Sequence, residues 1–397
     1  MHQAELLLHF TTTTAPTLGG CDCPHQLAFW TRNVPHIGLS HPFVLHLLLA
    51  AASFHLAYLA KHHTTTDTAV DNATASALPL RLMRVEYLAL AQQHLTAGVS
   101  GFSAQLARPA PENCGALYLG AVLTCYCTFA DGPAGRDDLL VCTVKGEEHG
   151  GGGSHDDGSD RGEDASPATT GTSSSSSPAV SMPFVYGVRL MHESFSPDVL
   201  FAGPMEPLAR APRPPALEEP VCVRDGFPRL EWEAQLDGLR EFVVAARCAA
   251  SDGRDGATPA STEATRATAA VSLKALDNLI GIYAAIYGRR GQNGEITLVG
   301  PSENQFVFGW LYRLEPEFAA CVRRCEPCAL LALAHYALLL KGDAVPRGWY
   351  VEGWKEHIVA RIGELLGDAE GNLIMDQMKT KSQTGGLLDY FVAPKPQ

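Results

Sequence analysis

The chain has 397 residues, 46% of them hydrophobic and 18% charged, with a formal net charge of −13. That apolar content suffices to bury a large core, in one big helical domain or two smaller ones. There is no dense Lys/Arg run, the best being the pairs Arg289–Arg290 and Arg323–Arg324. Direct nucleic-acid binding is not expected, because a duplex binder presents a basic stripe that displaces counterions.

The N-terminus, MHQAELLLHF, has no basic n-region and no small-residue cleavage site, so no secretory leader is expected. Residues 1–145 read as helices over 2–12, 24–33, 41–62, 80–106 and 111–130, with a weak one near 136–144. The helix that starts at Ser40 has Pro42 in its first turn and apolar residues on nearly every side. Such a helix must be buried all round, as the axle of a helical domain. Its run Phe43–Leu59 is 17 residues long and contains His46, Ser53 and His55. That is short and interrupted for a membrane span, so a core helix is expected and no stable span.

Residues 146–181 are low in complexity, with GEEHGGGGSHDDGSD followed by the five serines of 173–177. They hold seven acids and one Arg, a net of −6. Composition of this kind does not repay its ordering entropy, and a disordered insert is expected. Residues 182–397 resume with short helices at 184–194 and 197–202 and a Pro-rich connector from Pro204 to Pro220. Helices then follow near 230–249 and 265–288, with a flexible break about 250–265 between them. EITLV at 295–299 is the one good strand signal. The last block reads as helices near 303–313, 316–324, 326–341 and 349–367, with a short one after 371. Ser302 with Gln305 forms a capping-box pattern, and Pro197 and Pro327 open helices. The expected fold is all-α, a multi-helix domain with long disordered inserts.

Eleven cysteines, an odd count scattered over a large chain, fit reduced and mostly buried thiols in an intracellular protein. Cys321-x3-Cys325-x2-Cys328 has the spacing of a radical-SAM iron–sulfur motif, but it falls between two helices rather than after the first strand of a barrel. Buried thiols are the default there. Asp156-Asp157-x-x-Asp160 matches the DDxxD motif with which helical terpenoid synthases hold Mg²⁺ and diphosphate. These aspartates lie in a Gly/Ser tract that will not hold a helix, which leaves a solvated acidic loop. His46 and His55, nine residues apart, project to opposite faces of a helix and cannot share a metal. No histidine pair has HxxxH or HExxH spacing, and there is no GxSxG elbow or GxxxxGK loop. No catalytic residue and no metal ligand is assigned, and no enzyme is expected.

What remains is apolar helical surface with polar tips, the composition of a ligand cavity or a partner groove. The late aromatics Phe306, Phe308, Trp310, Tyr312, Tyr336, Trp349, Tyr350 and Trp354 are dense for a chain with 8% aromatics. Core packing is the default for them. The alternative is a pocket for a flat apolar molecule, lined by Phe306, Trp310, Tyr336, Leu339, Trp349 and Trp354.

Three blocks carry a resemblance. They are ELLLHFTTTT through Trp30, Val34–Pro35 and SHPFVLHLLLAAASFHLAYLA; YLALAQQHL with GFSAQL and ENCGALYLGAVLTCYCTFA; and WLYRLEPEF with RRCEPCALLALAHYALLL and RGWYVEGWKEHI. In this order they resemble the regulatory domain of fungal zinc-cluster transcription factors, most of all the sterol uptake control type. The resemblance implies a nuclear (or partly cytoplasmic) transcriptional regulator that binds a sterol or other apolar small molecule in a helical cavity and works with the transcription machinery, as a homodimer in some readings. The family's six-cysteine cluster has no counterpart here, since Cys21-x-Cys23 is too short and lacks basic neighbours. Zinc would belong to such a cluster upstream, and the DNA-reading module is expected to be missing because of a truncated chain or a role through a partner. The alternatives are a helical dimerisation module without a ligand and, behind it, a helical lipid or isoprenoid enzyme.

Overall fold

A computed structural model describes residues 3–18, 24–66, 73–144, 182–209, 221–222, 232–251, 259–290, 296–298, 304–340 and 348–367. Helix α1 (Gln3–His9) runs through the π-helical turn Phe10–Thr14 into α2 (Ala15–Leu18). In the same way α3 (Pro24–Ala28) runs through Phe29–Asn33 into α4 (Val34–Ser40). The threonines of the first π turn serve their own helix. Thr11 Oγ1 donates to Leu7 O at 3.1 Å and Thr12 Oγ1 to Leu8 O at 2.8 Å, the back-bonding that loosens a helical ladder.

His41 adopts an extended conformation and α5 (Pro42–Thr66) starts behind it. Phe43, Val44, Leu47 to Ala52, Phe54 and Ala57 are all buried, on every side of the helix. The axle expected from the sequence is there, packed against α1, α4, α6 (Ala73–Leu106) and α7 (Cys114–Asp131). By length and composition Pro42–His62, Cys114–Asp131 and Glu263–Tyr287 could each cross a membrane. In this fold their apolar faces pack on other helices.

The α5–α6 hairpin is close because glycines face the α5 side chains. A Cβ on Gly98 would stand 2.8 Å from Leu47 Cγ, and one on Gly101 2.9 Å from Phe43 Cβ. Helix α7 ends at Gly132, whose φ of +85° only glycine adopts without strain.

The weak helix expected near 136–144 is not formed. Asp138 accepts hydrogen bonds from the backbone N–H groups of Ala134 and Leu140 at 3.0 Å, and Leu140 takes φ +71°. An Asp that captures nearby amides pulls the backbone out of a helical path. The segment instead tucks Leu139 to Cys142 and Val144 into the core.

The second half contributes α8 (Met182–Ser194), α9 (Pro197–Leu200), α10 (Glu206–Ala209), α11 (Glu233–Ser251), α12 (Pro259–Tyr287), α13 (Asn304–Arg313), α14 (Pro316–Arg323), α15 (Pro327–Leu338) and α16 (Trp354–Leu366). Proline at the first helical position opens α9, α14 and α15, where a missing N–H costs nothing. Helix α12 reaches back to Pro259, so the break expected over 250–265 narrows, and 259–265 join a helix that α11 supports. Around α12 pack α11, α13, α14 and α15, and α15 also carries α16. The strand expected over 295–299 exists as β3 (Ile296–Leu298). It pairs antiparallel with β1 (Val221–Cys222) and β2 (Arg289–Arg290). With only these short strands among the described residues, the fold is all-α. One continuous apolar core runs through both halves. The 146–181 insert, the Ser302–Gln305 capping pair and the helix after 371 lie outside the described residues or side chains.

Candidate functional site

A cavity of about 440 Å³ opens between α7, α8 and α13, within the size range of small-molecule sites. Helix α7 forms its floor with Tyr118, Leu119, Val122, Cys125, Tyr126 and Phe129. These positions recur on one helical face over three turns, a stripe on the order of 16 Å long at 1.5 Å per residue. Val185, Val188 and His192 of α8 and Phe308, Gly309, Leu311 and Tyr312 of α13 form two walls. Leu18, Gln26, Phe29 and Trp30 bring the N-terminal helices to the third side, and Phe201 and Leu208 complete the wall.

Ring contacts fix this lining. Tyr118 meets His192 edge-on at 5.2 Å and Phe201 at 5.5 Å, and His192 meets Tyr312 at 6.1 Å. Trp30 meets Tyr126 at 5.9 Å, and Phe129 meets Phe308 at 5.3 Å. Such pairs add to the area term and hold rings in defined orientations. The Tyr126 hydroxyl donates to Leu18 O at 3.1 Å, which ties α7 to the N-terminal helices. Arg189 braces α13 from behind: its guanidinium donates to the Tyr312 and Leu314 carbonyls and lies 5.4 Å from the Tyr312 ring centre.

The wall is uncharged at neutral pH. No Lys, Arg, Asp or Glu is among the lining residues. Burial pushes the Tyr118 hydroxyl and the Cys125 thiol up to about 12 and raises Tyr126 as well. Burial also lowers the His192 imidazole below its ordinary value, which favours the neutral ring. A second, larger cleft of about 580 Å³ is different in kind: it is lined by Arg136, His357, Arg361 and Glu364 among others. Glu364 takes up both arginines at 2.9 Å, and Asp137 takes the other arm of Arg361 at 2.6 Å. It is an ion-paired surface groove.

The aromatics singled out from sequence sit elsewhere. Trp310, buried, stacks on Tyr336 at 4.3 Å and donates its N–H to Ala275 O at 2.8 Å. Trp354 donates to Phe129 O at 2.9 Å and Trp349 to Thr17 Oγ1 at 2.8 Å, while Leu339 is fully enclosed. None of these five lines the cavity. They are core, with the three indole N–H groups hydrogen-bonded inside it and the Tyr336 hydroxyl enclosed without a partner, and the side chain of Phe306 lies outside the described residues. From the wider late aromatic set, Phe308 and Tyr312 do reach the cavity. Sequence reasoning missed α7 and Gln26. The signal was the spacing of Tyr118, Val122, Tyr126 and Phe129, which puts polar-tipped rings on one face.

The other motifs resolve plainly. His46 and His55 do point apart: His46 Nδ1 meets His94 Nδ1 at 3.0 Å, whereas His55 Nδ1 meets Thr14 Oγ1 at 3.0 Å. Cys114, Cys125, Cys127, Cys142, Cys321 and Cys328 form no disulfide, and burial raises Cys321 and takes Cys328 up to about 11. No group of three metal-ligating side chains occurs among the described residues. Asp156, Asp157 and Asp160 lie outside them. Neither a protein-family model nor a curated protein sequence matches this chain.

Proposed function

We propose that this chain is a ligand-responsive regulatory domain of the kind carried by fungal zinc-cluster transcription factors, in which a sterol or another apolar small molecule occupies the α7–α8–α13 cavity. The observation that carries the reading is that cavity: apolar, aromatic-walled, uncharged and of small-molecule size. The three ordered sequence blocks support it, and the second of them supplies the cavity floor. In this reading the chain has no catalytic role. The ligand shifts the balance between two helix packings by as much as its affinities for them differ. The regulator acts in the nucleus with the transcription machinery, and a separate module reads DNA.

The test is twofold. Purified protein is screened against sterols and other neutral lipids by native mass spectrometry and thermal shift. The chain is also fused to a heterologous DNA-binding module and assayed on a reporter with and without the bound lipid. Binding with a ligand-dependent reporter response is expected. No lipid retained and no reporter effect would sink the proposal.

A second reading, a helical dimerisation module, is favoured by Leu82, Met83 and Val85, which stay exposed together on α6. Sedimentation of the protein against a Leu82→Arg, Val85→Arg double variant decides it, since only a dimer through this face dissociates on substitution.

A further inference from the structure

Apolar binding cavities carry a few placed polar groups, and those set orientation and specificity. Two buried groups on this wall, the Gln26 amide and the Trp30 indole N–H, have no hydrogen bond within the described residues, and of the two only the amide both donates and accepts. Gln26 lines the wall, is only 6% exposed, and forms no hydrogen bond to another described residue. Its position is fixed by the first turn of α3 behind Pro24 and by the packing of α3 against α10. A primary amide offers two donors and a two-lone-pair acceptor. The Gln26 amide atoms are not among the fully enclosed unpaired ones, so they open on accessible space with no protein partner, and the fold alone gives no reason for glutamine here rather than methionine.

We propose that the Gln26 amide is the polar anchor of the cavity: it pairs with the single hydroxyl or carbonyl of an elongated, otherwise apolar and uncharged ligand, and selects such molecules over carboxylates and over plain hydrocarbons. The inference rests on the cavity being a ligand site. Neutrality follows from the wall, because no Lys or Arg is among the lining residues, and Arg189, beside Val188 on α8, has its guanidinium spent on the Tyr312 and Leu314 carbonyls. An ion buried without a counter-charge is strongly disfavoured. A hydrocarbon of the same shape would leave the amide unpaired and lose that hydrogen bond. The α7 stripe gives the long axis along which the apolar body lies.

The test compares wild type, Gln26→Met and Val122→Trp, with three probes delivered from cyclodextrin at pH 7.4. These are a fluorescent sterol with a free hydroxyl, its matching hydrocarbon as competitor, and palmitate as the carboxylate. Wild type should bind the sterol at least about 10-fold more tightly than either competitor, roughly one buried hydrogen bond in free energy. Gln26→Met should lose that margin for the sterol, bind the hydrocarbon no more weakly than wild type, and keep the melting temperature of the ligand-free protein within a few degrees, which shows that the variant is folded. Val122→Trp should weaken both neutral probes by filling the cavity. If both bind, Val122→Trp blocks them and Gln26→Met changes nothing, the anchor is wrong and the cavity reading survives. Palmitate binding as tightly as the sterol overturns the neutral class. If no probe binds wild type, the anchor and the cavity reading fall together.

Discussion

The imidazole of His55 lies stacked on the indole of Trp349, with ring centroids 4.7 Å apart and planes at 23°. His55 belongs to α5 and Trp349 to the turn before α16, so one ring contact joins the two ends of the domain. Thr14 Oγ1 meets the His55 Nδ1 at 3.0 Å, Tyr58 stacks beside it, and the His9 ring centre stands 5.4 Å away. Burial first, and His9 second, lower the His55 pKa to about 4. The folded protein therefore keeps the ring neutral where the unfolded chain, titrating near the ordinary 6.5, takes up a proton. The stability is fully present above pH 6.5 and is lost as the pH falls toward about 4.

Acidification from pH 7.5 to 5.0 is thus expected to lower the urea midpoint, with His55 supplying on the order of 2 kcal/mol of the loss. His55→Gln removes that titration and should flatten the slope. Some slope stays, because burial also lowers the pKa of His9, His94, His192 and His335. An unchanged pH slope in the variant would refute the assignment.

Gly98→Ala and Gly120→Ala should each destabilise, by about 1–3 kcal/mol, against the helix-propensity gain that alanine brings elsewhere. A Cβ at Gly120 would stand 2.8 Å from Phe43 Cε2 and 2.9 Å from Phe102 Cδ2. Thermal unfolding of both, with Gly281→Ala as control, checks this. Gly281 has open space around its Cβ position, so that variant should be neutral or stabilising.

Trp310→Ala and Trp354→Ala should cost about 3–5 kcal/mol each, the range for a buried indole removed from a core. Trp354→Phe should cost less, but more than shape alone explains, because Phe129 O loses its 2.9 Å donor. Urea unfolding measures all three. A Trp354→Ala protein as stable as wild type would show that the indole is not core.

Val188→Trp on the α8 wall offers a cavity test independent of α7. The half-buried valine faces the cavity, so a larger side chain has room and the melting point should stay within a few degrees. Lipid binding in the same sample should fall by at least about 10-fold, a change worth 1.4 kcal/mol. Wild-type affinity in a folded Val188→Trp protein would place the ligand elsewhere.

The helices were readable because their signals are local. The all-round apolar wording of 43–60 and the prolines at 42, 197 and 327 specify elements and their starts without reference to the rest of the chain. The segment 136–144 misled, since one carboxylate of Asp138 outweighs a run of helix-compatible apolar residues. The cavity was harder to read. Composition finds the aromatic-rich stretch but does not say which helical face turns inward. On α13, Trp310 goes to the core while Phe308 and Tyr312, at neighbouring positions, go to the cavity. That choice depends on where α7 and α8 lie, which is tertiary information. Gln26 was invisible for the same reason: a glutamine between Pro24 and Ala28 reads as surface until the helices close over it.

The cavity wall draws on residues 18–30, α7, α8 and α13, segments from both sides of the 146–181 insert. Neither half of the chain encloses it alone. Any molecule that settles there is a clasp between the halves, and at a concentration one hundred times its dissociation constant it adds about 2.7 kcal/mol to their union. On the proposed reading, sensing a lipid and completing the domain's assembly would be the same event.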